Sequence, residues 1–555
     1  MLKVNEKYDV KIESVNNLGN GVARIDGIAV FVPYTVEGDF CRVEIVKSYS
    51  SYAIARLDTV LTPSSQRIDP ACPHFYECGG CSYLNCTIEA ENTSKESYVS
   101  GILKKFGISA EVDKIVCPVS ENYRNKVLLF YGNGGFGYFK QGTNEVVTHK
   151  SCIMNPSVFD AIAEYCNAHL QKDGLRALFI RKSSHSEPKI MVAPVFSARK
   201  DISRFSIGLI NEFPSIEAVL YGVNKEKDFV FEKTEFHTVY GDGYIYDEIC
   251  GLNFRISPKS FYQINHTCAE LLYEKAIELC EADNNTYLAD LFCGTGTMGM
   301  IVAKRTGAKV TGVEIEKSAV SDARHNAKLN GIKNIEFFAD DAKNFDKSAG
   351  VCIIDPPRKG CSKFMIDTLL HLKPERIVYV SCNPDTMARD INLLADEYKI
   401  SSPVGVYNMF PRTAHVESVV CLSRETTHEM KLHASPFEKI KSGVKNIELR
   451  LFDEKRQKIK AGDDLIFTNT ASGEKMRASV KKLYLFDSFE ELYKSLPLLQ
   501  CGYTVEDIDI AHPSDMEQYY SVEDQQKYGV VGIELFPPKR MTDESVVCLA
   551  RTFNN

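Results

Sequence analysis

The sequence predicts an α/β protein built around a doubly wound parallel sheet, with smaller β-rich domains at both ends. Three observations support this fold class. Buried-type strands alternate with helical segments from about Tyr287 to Arg424, short strands with glycine turns fill residues 1–60, and a further β-rich stretch follows residue 425. At 555 residues the chain is too long for one hydrophobic core and should divide into several domains.

Composition narrows the class of protein. Hydrophobic residues make up 44% of the chain, which fits soluble globular packing, and no apolar run is long enough to span a membrane. The N-terminus lacks a signal-peptide pattern, so we expect a cytoplasmic protein with no membrane partner. Its 18 cysteines should be thiols or metal ligands. The net charge of -8 means that any nucleic-acid-binding surface must be local.

Residues 1–60 alternate apolar and polar side chains, as in "YDVKIESV" and "FCRVEIVKS", with glycines between the runs. This pattern predicts a small β-barrel of OB type. A β-sandwich fragment would have the same spacing, and the local charge is nearly balanced.

The central α/β region follows a regular order. The segments "YLADLF", "AKVTGVEI", "NIEFFAD", "VCIID" and "RIVYVS" have the composition of buried strands, and the segments between them have helical periodicity. The runs "GVYNMF" and "VESVVCLSR" add an antiparallel pair, which is typical of class I methyltransferases and less so of dehydrogenases.

A glycine-rich turn follows the first of these strands. The stretch "DLFCGTGTMG" (Asp290 to Gly299) contains G-x-G-x-x-G, which suits either a dinucleotide or S-adenosylmethionine. S-adenosylmethionine has no pyrophosphate and needs a carboxylate for its ribose, a need that Asp290 and Glu314 fit. Downstream, "IIDPPRKG" holds Asp355 at a rigid strand-ending turn, which further favours S-adenosylmethionine.

One single cysteine and one run of three cysteines are candidates for chemistry. Cys382 lies in "SCNPDTMARD", directly after the strand "RIVYV". A lone cysteine is most often a small buried residue, but the carboxyl end of a parallel strand is also where a nucleophile is expected. The run "CPHFYECGGC" spaces three further cysteines as C-x5-C-x2-C, which suits zinc or an iron–sulfur cluster, and Cys86 can compete for the place of fourth ligand.

Five motifs together resemble the RNA uracil-5 methyltransferase family, and they stand in the family's order: "SPKSFYQIN", "DLFCGTG", "DPPRKG", "YVSCNPDTMARD" and "FPRTAHVE". The resemblance covers roughly residues 1–424. It implies a TRAM barrel (1–60), a central iron–sulfur domain (61–262) and a Rossmann-like S-adenosylmethionine-dependent methyltransferase domain (263–425).

The resemblance also implies roles for individual residues. Cys382 resembles the family's nucleophile, and Glu417 resembles its general base. The implied cofactor contacts are Gln263, Phe292, Glu314, Asp341 and Asp355. The implied ligands of a 4Fe-4S cluster are Cys72, Cys78, Cys81 and Cys152. The sequence departs from the family's pattern at Asn408, where aspartate is common, and at Arg412.

The chemistry accounts for the two catalytic residue types. Uracil C5 is a poor nucleophile, so a thiolate must first add to C6, and a base must later remove the C5 proton. Cationic neighbours lower the pKa of a cysteine and so favour the thiolate near neutral pH. Arg358 and Arg389 are the candidates for that place, although each also suits a structural role.

The C-terminal region has its own signature. The stretch "GVKNIELR" (Gly443 to Arg450) resembles the ASCH domain, a PUA-like barrel that we assign to residues 426–536. Between residues 439 and 460, eight cations stand against three acids, which predicts an RNA-phosphate groove or a solvated charged face. The tail (537–555) repeats "ESVVCL" from the last methyltransferase strand, and the sequence leaves open which copy completes the sheet.

The sequence thus predicts S-adenosylmethionine-dependent C5-methylation of a uridine in 23S rRNA, because the TRAM barrel and cluster cysteines are typical of the ribosomal branch. We expect a monomer with RNA, and not DNA, as its partner. The alternatives are a tRNA uracil-5 methyltransferase and a noncatalytic RNA-binding protein. An NAD-dependent oxidoreductase would leave Cys382, Asp355 and Glu417 unexplained.

Overall fold

The computed structural model describes residues 2–424 and 427–537. The chain forms two compact units. Of the described residues, the first contains 2–396 and 402–422, and the second contains 397–401, 423–424 and 427–537.

The N-terminal part of the first unit is a six-stranded sheet in the order β1-β5-β6-β4-β3-β2. Side chains at alternating positions, among them Val30, Val43 and Ile45, are buried inside it. The predicted barrel-like strands are therefore present. Their bounds are β1 (Lys7–Lys11), β2 (Ser14–Val15), β3 (Gly21–Ile25), β4 (Ile28–Val32), β5 (Phe40–Ser48) and β6 (Tyr52–Thr62).

The central part is a seven-stranded sheet in the order β13-β12-β11-β10-β7-β8-β9. One face packs on two helices through Phe159, Ile162 and Leu209, and a separate hairpin follows. The elements are α1 (Ile88–Lys105), β7 (Lys126–Gly132), β8 (Gly135–Phe139), β9 (Val146–Thr148), α2 (Ser157–His169), β10 (Leu175–Lys182), β11 (Ile190–Phe196), α3 (Ser203–Glu212), β12 (Ile216–Val223), β13 (Glu235–Tyr240) and the hairpin of β14 (Ile245–Ile249) and β15 (Leu252–Ile256).

The third part contains the predicted α/β sheet. Its strands run in the order β18-β17-β16-β19-β20-β23, the first five of them parallel, and β22 pairs with β23. The elements are α4 (His266–Cys280), β16 (Tyr287–Leu291), α5 (Thr297–Thr306), β17 (Lys309–Glu314), α6 (Lys317–Leu329), β18 (Ile335–Ala339), β19 (Val351–Ile354), α7 (Lys363–Leu372), β20 (Arg376–Ser381), α8 (Pro384–Leu394), β22 (Gly405–Tyr407) and β23 (Glu417–Arg424), whereas β21 (Tyr398–Ile400) belongs to the second unit.

The strand order reverses between β16 and β19, since the chain adds strands first on one side of β16 and then on the other. A reversal of this kind opens a crevice at the carboxyl ends of the strands, where α/β proteins bind ligands. The turn that enters α5 borders this crevice. Gly296 has φ +77°, and a Cβ there would lie 2.4 Å from the Phe337 ring, so only glycine fits.

The second unit contains a five-stranded sheet in the order β24-β26-β27-β28-β25. Its core includes Phe437, Phe467 and Ile533, which confirms a β-rich module in this region. The elements are β24 (Thr427–Leu432), α9 (Ala434–Lys441), β25 (Ile447–Leu451), β26 (Asp464–Asn469), β27 (Lys475–Phe486), α10 (Phe489–Ser495), α11 (Val522–Tyr528) and β28 (Val530–Leu535).

The repeated "ESVVCL" phrase has one copy within the described residues. That first copy forms β23 and lies beside β20 in the α/β sheet. The second copy belongs to residues 538–555, which lie outside the described residues. Across residues 2–424 and 427–537, no helix has both the length and the apolar character needed to cross a membrane.

Candidate active site

Five of the predicted site residues stand at the carboxyl edge of the α/β sheet, in the spatial order of its strands. Asp341 follows β18, Glu314 ends β17, Phe292 follows β16, Asp355 follows β19 and Cys382 follows β20. Neighbouring strands are about 4.8 Å apart, so this row is about 19 Å long from the first residue to the last. Asp341 and Cys382 therefore lie at opposite ends of an elongated site.

The glycine turn is held against the end of β17. Glu314 accepts the Gly294 backbone N–H at 3.1 Å and the Glu316 N–H at 2.9 Å through its two carboxylate oxygens. Phe292 has a left-handed φ of 68° and donates its N–H to the Val313 carbonyl oxygen at 3.0 Å. These bonds fix the turn as a concave backbone surface above β16 and β17.

Asp290 lies beneath this turn and is only 1% exposed. Its Oδ2 accepts the Gly299 N–H at 2.9 Å, whereas its Oδ1 has no hydrogen-bond partner. Burial raises the pKa of this carboxyl to about 7. This unpartnered oxygen is an acceptor beside the glycine turn, and the ammonium group of S-adenosylmethionine would supply a donor for it, so the turn fits that cofactor. From the sequence we expected Asp290 to serve the ribose instead.

Asp341 caps a short 3₁₀ turn, Ala342–Asn344. It accepts the Lys343 N–H at 3.2 Å and forms an ion pair with the Lys343 Nζ at 2.9 Å. The hydrogen bond to Lys343 holds the pKa of this carboxyl below its usual range. Asp341 therefore stays ionised as an acceptor at its end of the row.

Cys382 occupies a tight turn between β20 and α8. Ser381 Oγ donates to the Asn383 carbonyl at 3.0 Å, and the Asn383 side chain caps α8 by accepting the Asp385 N–H at 3.2 Å. The thiol is half-buried. Burial raises its pKa to about 11, the nearby carboxyl of Glu417 adds to that rise, and Arg358 opposes it.

Glu417, the first residue of β23, is 5% exposed and lies near Cys382. Burial raises its pKa well above the usual value, and the charge of Asp355 raises it further. Burial likewise raises the pKa of Asp355 to about 7, with a contribution from Asp290. The structure thus brings one thiol and two carboxyl groups into a single electrostatically coupled cluster.

Of the two arginines considered for the thiol, Arg358 lies beside the cluster and acts on both Cys382 and Glu417. Its Nη2 is 3.1 Å from the ring nitrogens of His415, whose pKa is lowered to about 4 by burial and by that guanidinium. Arg389 instead pairs with Asp390 at 2.6 Å and donates to two backbone carbonyls. Arg389 is structural, so the sequence-based suggestion holds for Arg358 only.

Gln263 belongs to the loop between β15 and α4 and is 6% exposed. Its carbonyl accepts the Asn125 Nδ2 at 2.7 Å, while Arg181 donates to the carbonyls of Ser257 and Ser260 at 3.0 Å each. The central sheet therefore fixes this loop at both ends.

One residue of this loop was missed by sequence reasoning. Phe261 is 61% exposed, two positions before Gln263. The available signal was the aromatic pair "FY" in the stretch "SPKSFYQIN", of which Phe261 is the exposed member and Tyr262 the buried one. An exposed ring of this kind is a surface on which a nucleic-acid base can stack.

The four predicted cluster cysteines, Cys72, Cys78, Cys81 and Cys152, line one cavity of about 20 Å³. Cys86, the competing candidate, is directed elsewhere and donates to the Tyr83 carbonyl. Within residues 2–424 and 427–537, no three His, Cys, Asp or Glu side chains lie close enough together to hold a metal ion.

Other groups in the wall of this cavity complement a charged cluster. Arg124 donates to the Tyr138 hydroxyl at 2.8 Å, and both nitrogens of His149 are buried without a hydrogen-bond partner. Gly80 donates its N–H to the Cys78 sulfur at 3.4 Å. A cation and N–H groups around four thiols suit a thiolate-ligated, anionic metal centre.

The cation-rich stretch of the second unit is less basic at its surface than its sequence indicates. Lys445 and Arg450 both lie 2.9 Å from the same carboxylate, Glu448, which is 4% exposed. Arg456 pairs with Asp453, and Lys441 pairs with Glu474. Lys455 and Lys458 are exposed and remain available to contact a polyanion.

The glycine turn, the acidic residues after successive strands and the strand order define a class I, S-adenosylmethionine-dependent methyltransferase. Three family models match the chain: tRNA (uracil-5-)-methyltransferase over residues 245–425, the TRAM domain over residues 2–57 and the ASCH domain over residues 430–539. Together with the relatives described next, they establish that the chain belongs to the RNA (uracil-5-)-methyltransferase family.

An uncharacterized RNA methyltransferase of Bacillus cereus is 33% identical over 449 residues, which cover 76% of this chain and 97% of that protein. An uncharacterized RNA methyltransferase of Listeria monocytogenes is 30% identical over 76% of this chain and 98% of its own. Among solved structures, the Pyrococcus abyssi tRNA (uracil-54, C5)-methyltransferase in complex with S-adenosyl-L-homocysteine matches with a TM-score of 0.61 and 25% identity. That match covers 75% of this chain and 100% of the other.

Proposed function

We propose that this enzyme methylates C5 of a uridine in 23S rRNA, with Cys382 as nucleophile and Glu417 as general base. One observation carries the proposal: the Cys382 thiol, the Glu417 and Asp355 carboxyls and the Arg358 guanidinium act on one another at the carboxyl edge of the sheet. The choice of 23S rRNA rests on the combination of a TRAM barrel with the four cysteines.

In the proposed reaction the Cys382 sulfur bonds to uracil C6, and the electron pair of the C5–C6 double bond forms an enolate. C5 of the enolate then attacks the methyl group of S-adenosylmethionine. The bond from that methyl group to sulfur breaks, and S-adenosylhomocysteine leaves. Glu417 removes the C5 proton, and the returning electron pair expels the thiolate. A carboxyl whose pKa is raised by burial is a stronger base than a surface carboxylate.

The resting state of the thiol constrains the first step. With its pKa raised to about 11, Cys382 is protonated at neutral pH in the free enzyme. Its proton must pass to a base as the uracil binds; we assign this role to Asp355, whose pKa of about 7 leaves it partly ionised at neutral pH, so that Glu417 stays free to take the C5 proton. The positive charge of Arg358 favours the thiolate and, later, the enolate.

The cofactor residues divide along the row. We assign Glu314 to the ribose of S-adenosylmethionine, Asp341 to the far, adenine end, and Phe292 to the wall between them. Asp355 and Gln263 contact both cofactor and uracil. The individual contacts are those that the family resemblance implies, and the length of the row supports the division, since Asp341 and Cys382 stand at its opposite ends.

The target uridine must leave its base stack to reach Cys382, which costs a few kcal/mol and favours a looped RNA. We assign Phe261 to the RNA side of the site, where its exposed ring stacks on a base. In the C-terminal module, the exposed Lys455 and Lys458 are the proposed phosphate contacts.

We further propose that Cys72, Cys78, Cys81 and Cys152 hold a 4Fe-4S cluster, in which each thiolate binds a different iron, so that thiolates too far apart to share a single ion can still be ligands. Support comes from their shared cavity, the adjacent Arg124 guanidinium and the unpartnered His149 nitrogens. The cluster would cross-link two distant parts of the central domain. Methyl transfer moves no net electrons, so the chemistry described above needs no electron from it.

A transfer RNA is the second candidate substrate. The similarity to the Pyrococcus abyssi enzyme, which acts on uracil 54 of tRNA according to its description, favours it. The reacting residues would be the same, and only the RNA contacts would differ.

The test is a trapping experiment with 5-fluorouridine-substituted ribosomal and transfer RNA in the presence of S-adenosylmethionine. Fluorine cannot leave as a cation, so addition of Cys382 should yield an SDS-stable complex that maps to the Cys382 peptide. Cys382→Ala should give no complex yet still bind S-adenosylmethionine, while Cys250→Ala serves as control. A complex with tRNA alone would move the substrate to the second candidate, and none with either RNA would contradict the mechanism.

A further inference from the structure

The segment between β22 and β23, residues 408–416, leads directly into Glu417 and contains His415. Two features of this segment are costly in isolation. Asn408 is fully buried, and Arg412 has φ 68°, a left-handed conformation that non-glycine residues rarely adopt. Such a conformation persists only where the surroundings hold it.

One carboxylate oxygen on helix α1 accepts hydrogen bonds from both Asn408 and Arg412 and so stabilises this conformation. Glu91 is 0% exposed, and its Oε1 accepts three hydrogen bonds: from Lys95 Nζ at 2.8 Å, from Asn408 Nδ2 at 2.9 Å and from the Arg412 backbone N–H at 2.9 Å. Glu91 therefore ties the start of the segment to its strained turn.

Lys95, one helical turn further along α1, completes the arrangement. It is 2% exposed, and its Nζ donates to Glu91, to Asn408 Oδ1 at 2.6 Å and to the Phe410 carbonyl at 3.4 Å. The ammonium group thus uses its three protons on the helix and on two points of the segment.

Neighbouring backbone bonds brace the same turn. Ser82 and Tyr83 donate their N–H groups to the Arg412 carbonyl at 2.7 and 3.2 Å, and Tyr123 donates its hydroxyl to the Pro411 carbonyl at 3.1 Å. These contacts hold the middle of the segment, whereas the Glu91–Lys95 pair joins that turn to Asn408.

A buried ion pair is weak evidence for stability, because desolvation offsets the attraction between its charges. The direction of its hydrogen bonds is more informative. Apart from the bond between Glu91 and Lys95, every side-chain hydrogen bond of the pair goes to residues 408–412. At both positions where the sequence departs from the family's pattern the side chain meets Glu91: the Asn408 amide donates to it, and the Arg412 guanidinium pairs with it at 3.6 Å. The departures therefore belong to one arrangement.

We infer that Glu91 and Lys95 are positioning residues for the general base: they hold residues 408–416 so that Glu417 meets C5 of the covalently bound uracil. The inference rests on the proposed function. Its consequence is specific. Loss of the pair should slow the step that needs Glu417, proton removal and thiolate release, more than it slows addition of Cys382.

The test is a single-turnover reaction of the full-length protein with S-adenosylmethionine carrying a labelled methyl group and unsubstituted RNA. The RNA is the ribosomal or transfer RNA whose 5-fluorouridine-substituted form gives an SDS-stable complex with the wild-type protein. Lys95→Met is compared with Lys104→Met, the same change at an exposed lysine of the same helix. The readout is the fraction of methylated RNA that remains in an SDS-stable complex, with S-adenosylmethionine affinity measured in parallel.

We expect Lys95→Met to raise that fraction at least about tenfold, because a displaced base forfeits part of the 10²–10⁴-fold that general-base catalysis supplies. Lys104→Met should match the wild type. Equal slowing of addition and release, or an unchanged fraction, would overturn the inference.

Glu91→Gln keeps the shape of the side chain and removes its charge, so it decides the matter if Lys95→Met fails to bind S-adenosylmethionine. It should accumulate the same complex to a smaller extent, and a wild-type fraction would count against the inference. Failure of the proposed function is distinguishable, since the wild type would then trap no fluorinated RNA and both conclusions would be overturned.

Discussion

Ser82 donates its backbone N–H to the Arg412 carbonyl oxygen over 2.7 Å, and Ser82 directly follows Cys81. The loop that carries three of the four proposed cluster ligands is thus hydrogen-bonded to the segment that ends at Glu417. A disturbance of the metal centre should be transmitted to that segment.

Cys152→Ser should release the cluster and loosen residues 408–416, because the loop around Cys81 loses its cross-link. Protein purified without oxygen should contain about four irons per chain before the change and fewer after it. Amide hydrogen exchange of the peptide containing Arg412 should then become faster. Cys250→Ser is the control, and unchanged exchange in iron-free protein would contradict the expectation.

The reactivity of Cys382 should depend steeply on pH. With a pKa of about 11, alkylation by iodoacetamide should accelerate about tenfold per pH unit between pH 7 and 10, because only the thiolate reacts. Glu417→Gln removes a negative neighbour and should raise the rate at pH 8, while Arg358→Met should lower it. Mass spectrometry of the Cys382 peptide measures this, and a rate that levels off below pH 9 would contradict it.

Asp290 should make the protein less stable as the pH rises. Its pKa is about 7 in the folded state against an ordinary 3.8, so between those values the folded state binds more protons and the free energy of unfolding falls with increasing pH. Without cofactor, Asp290→Asn should therefore be more stable than wild type at pH 8, by on the order of a few kcal/mol, with little difference near pH 4.

Urea unfolding at both pH values measures this effect. Asp341→Asn is the matched control, since Asp341 stands on the same edge of the sheet and its pKa is lowered. The same gain at pH 8 in both variants would show that the effect is not specific to the buried carboxyl.

Phe261→Ala should weaken RNA binding by about 5- to 160-fold, which corresponds to the 1–3 kcal/mol of one stacked base. Affinity for S-adenosylmethionine should not change. Phe364→Ala, which removes a 71% exposed ring on α7, is the control for general surface effects. Equal RNA affinity of the two variants, measured by filter binding at fixed salt, would remove Phe261 from the RNA surface.

The α/β sheet could be predicted because its parallel strands are buried on both faces and form short continuous apolar runs, as "VCII" and "RIVYVS" do. Glu314, Asp355 and Cys382 could be proposed from the same pattern, since each stands at or just after the end of such a strand, whereas Phe292 and Asp341 were expected only from the family resemblance. The local sequence was therefore sufficient to predict those site residues whose position is determined by the end of a strand.

Contacts between distant parts of the chain could not be predicted in this way. Lys95 and Asn408 are 313 positions apart, and no local pattern indicates that they meet. The choice between Arg358 and Arg389 depended on side-chain direction, which periodicity does not specify. Which cations of the C-terminal module face solvent could not be predicted for a related reason, since the sequence does not show that Lys445 and Arg450 pair with Glu448.

The position of β23 has an evolutionary consequence. Residues 417–424 fill their place in the α/β sheet before the chain enters the C-terminal module, and the Bacillus cereus relative is matched over 97% of its length by 76% of this chain. The C-terminal module thus follows a methyltransferase domain whose sheet already contains β23. Removing or replacing the module would leave the row of site residues and its sheet complete, so the RNA contacts proposed for Lys455 and Lys458 can vary while the reacting residues stay the same.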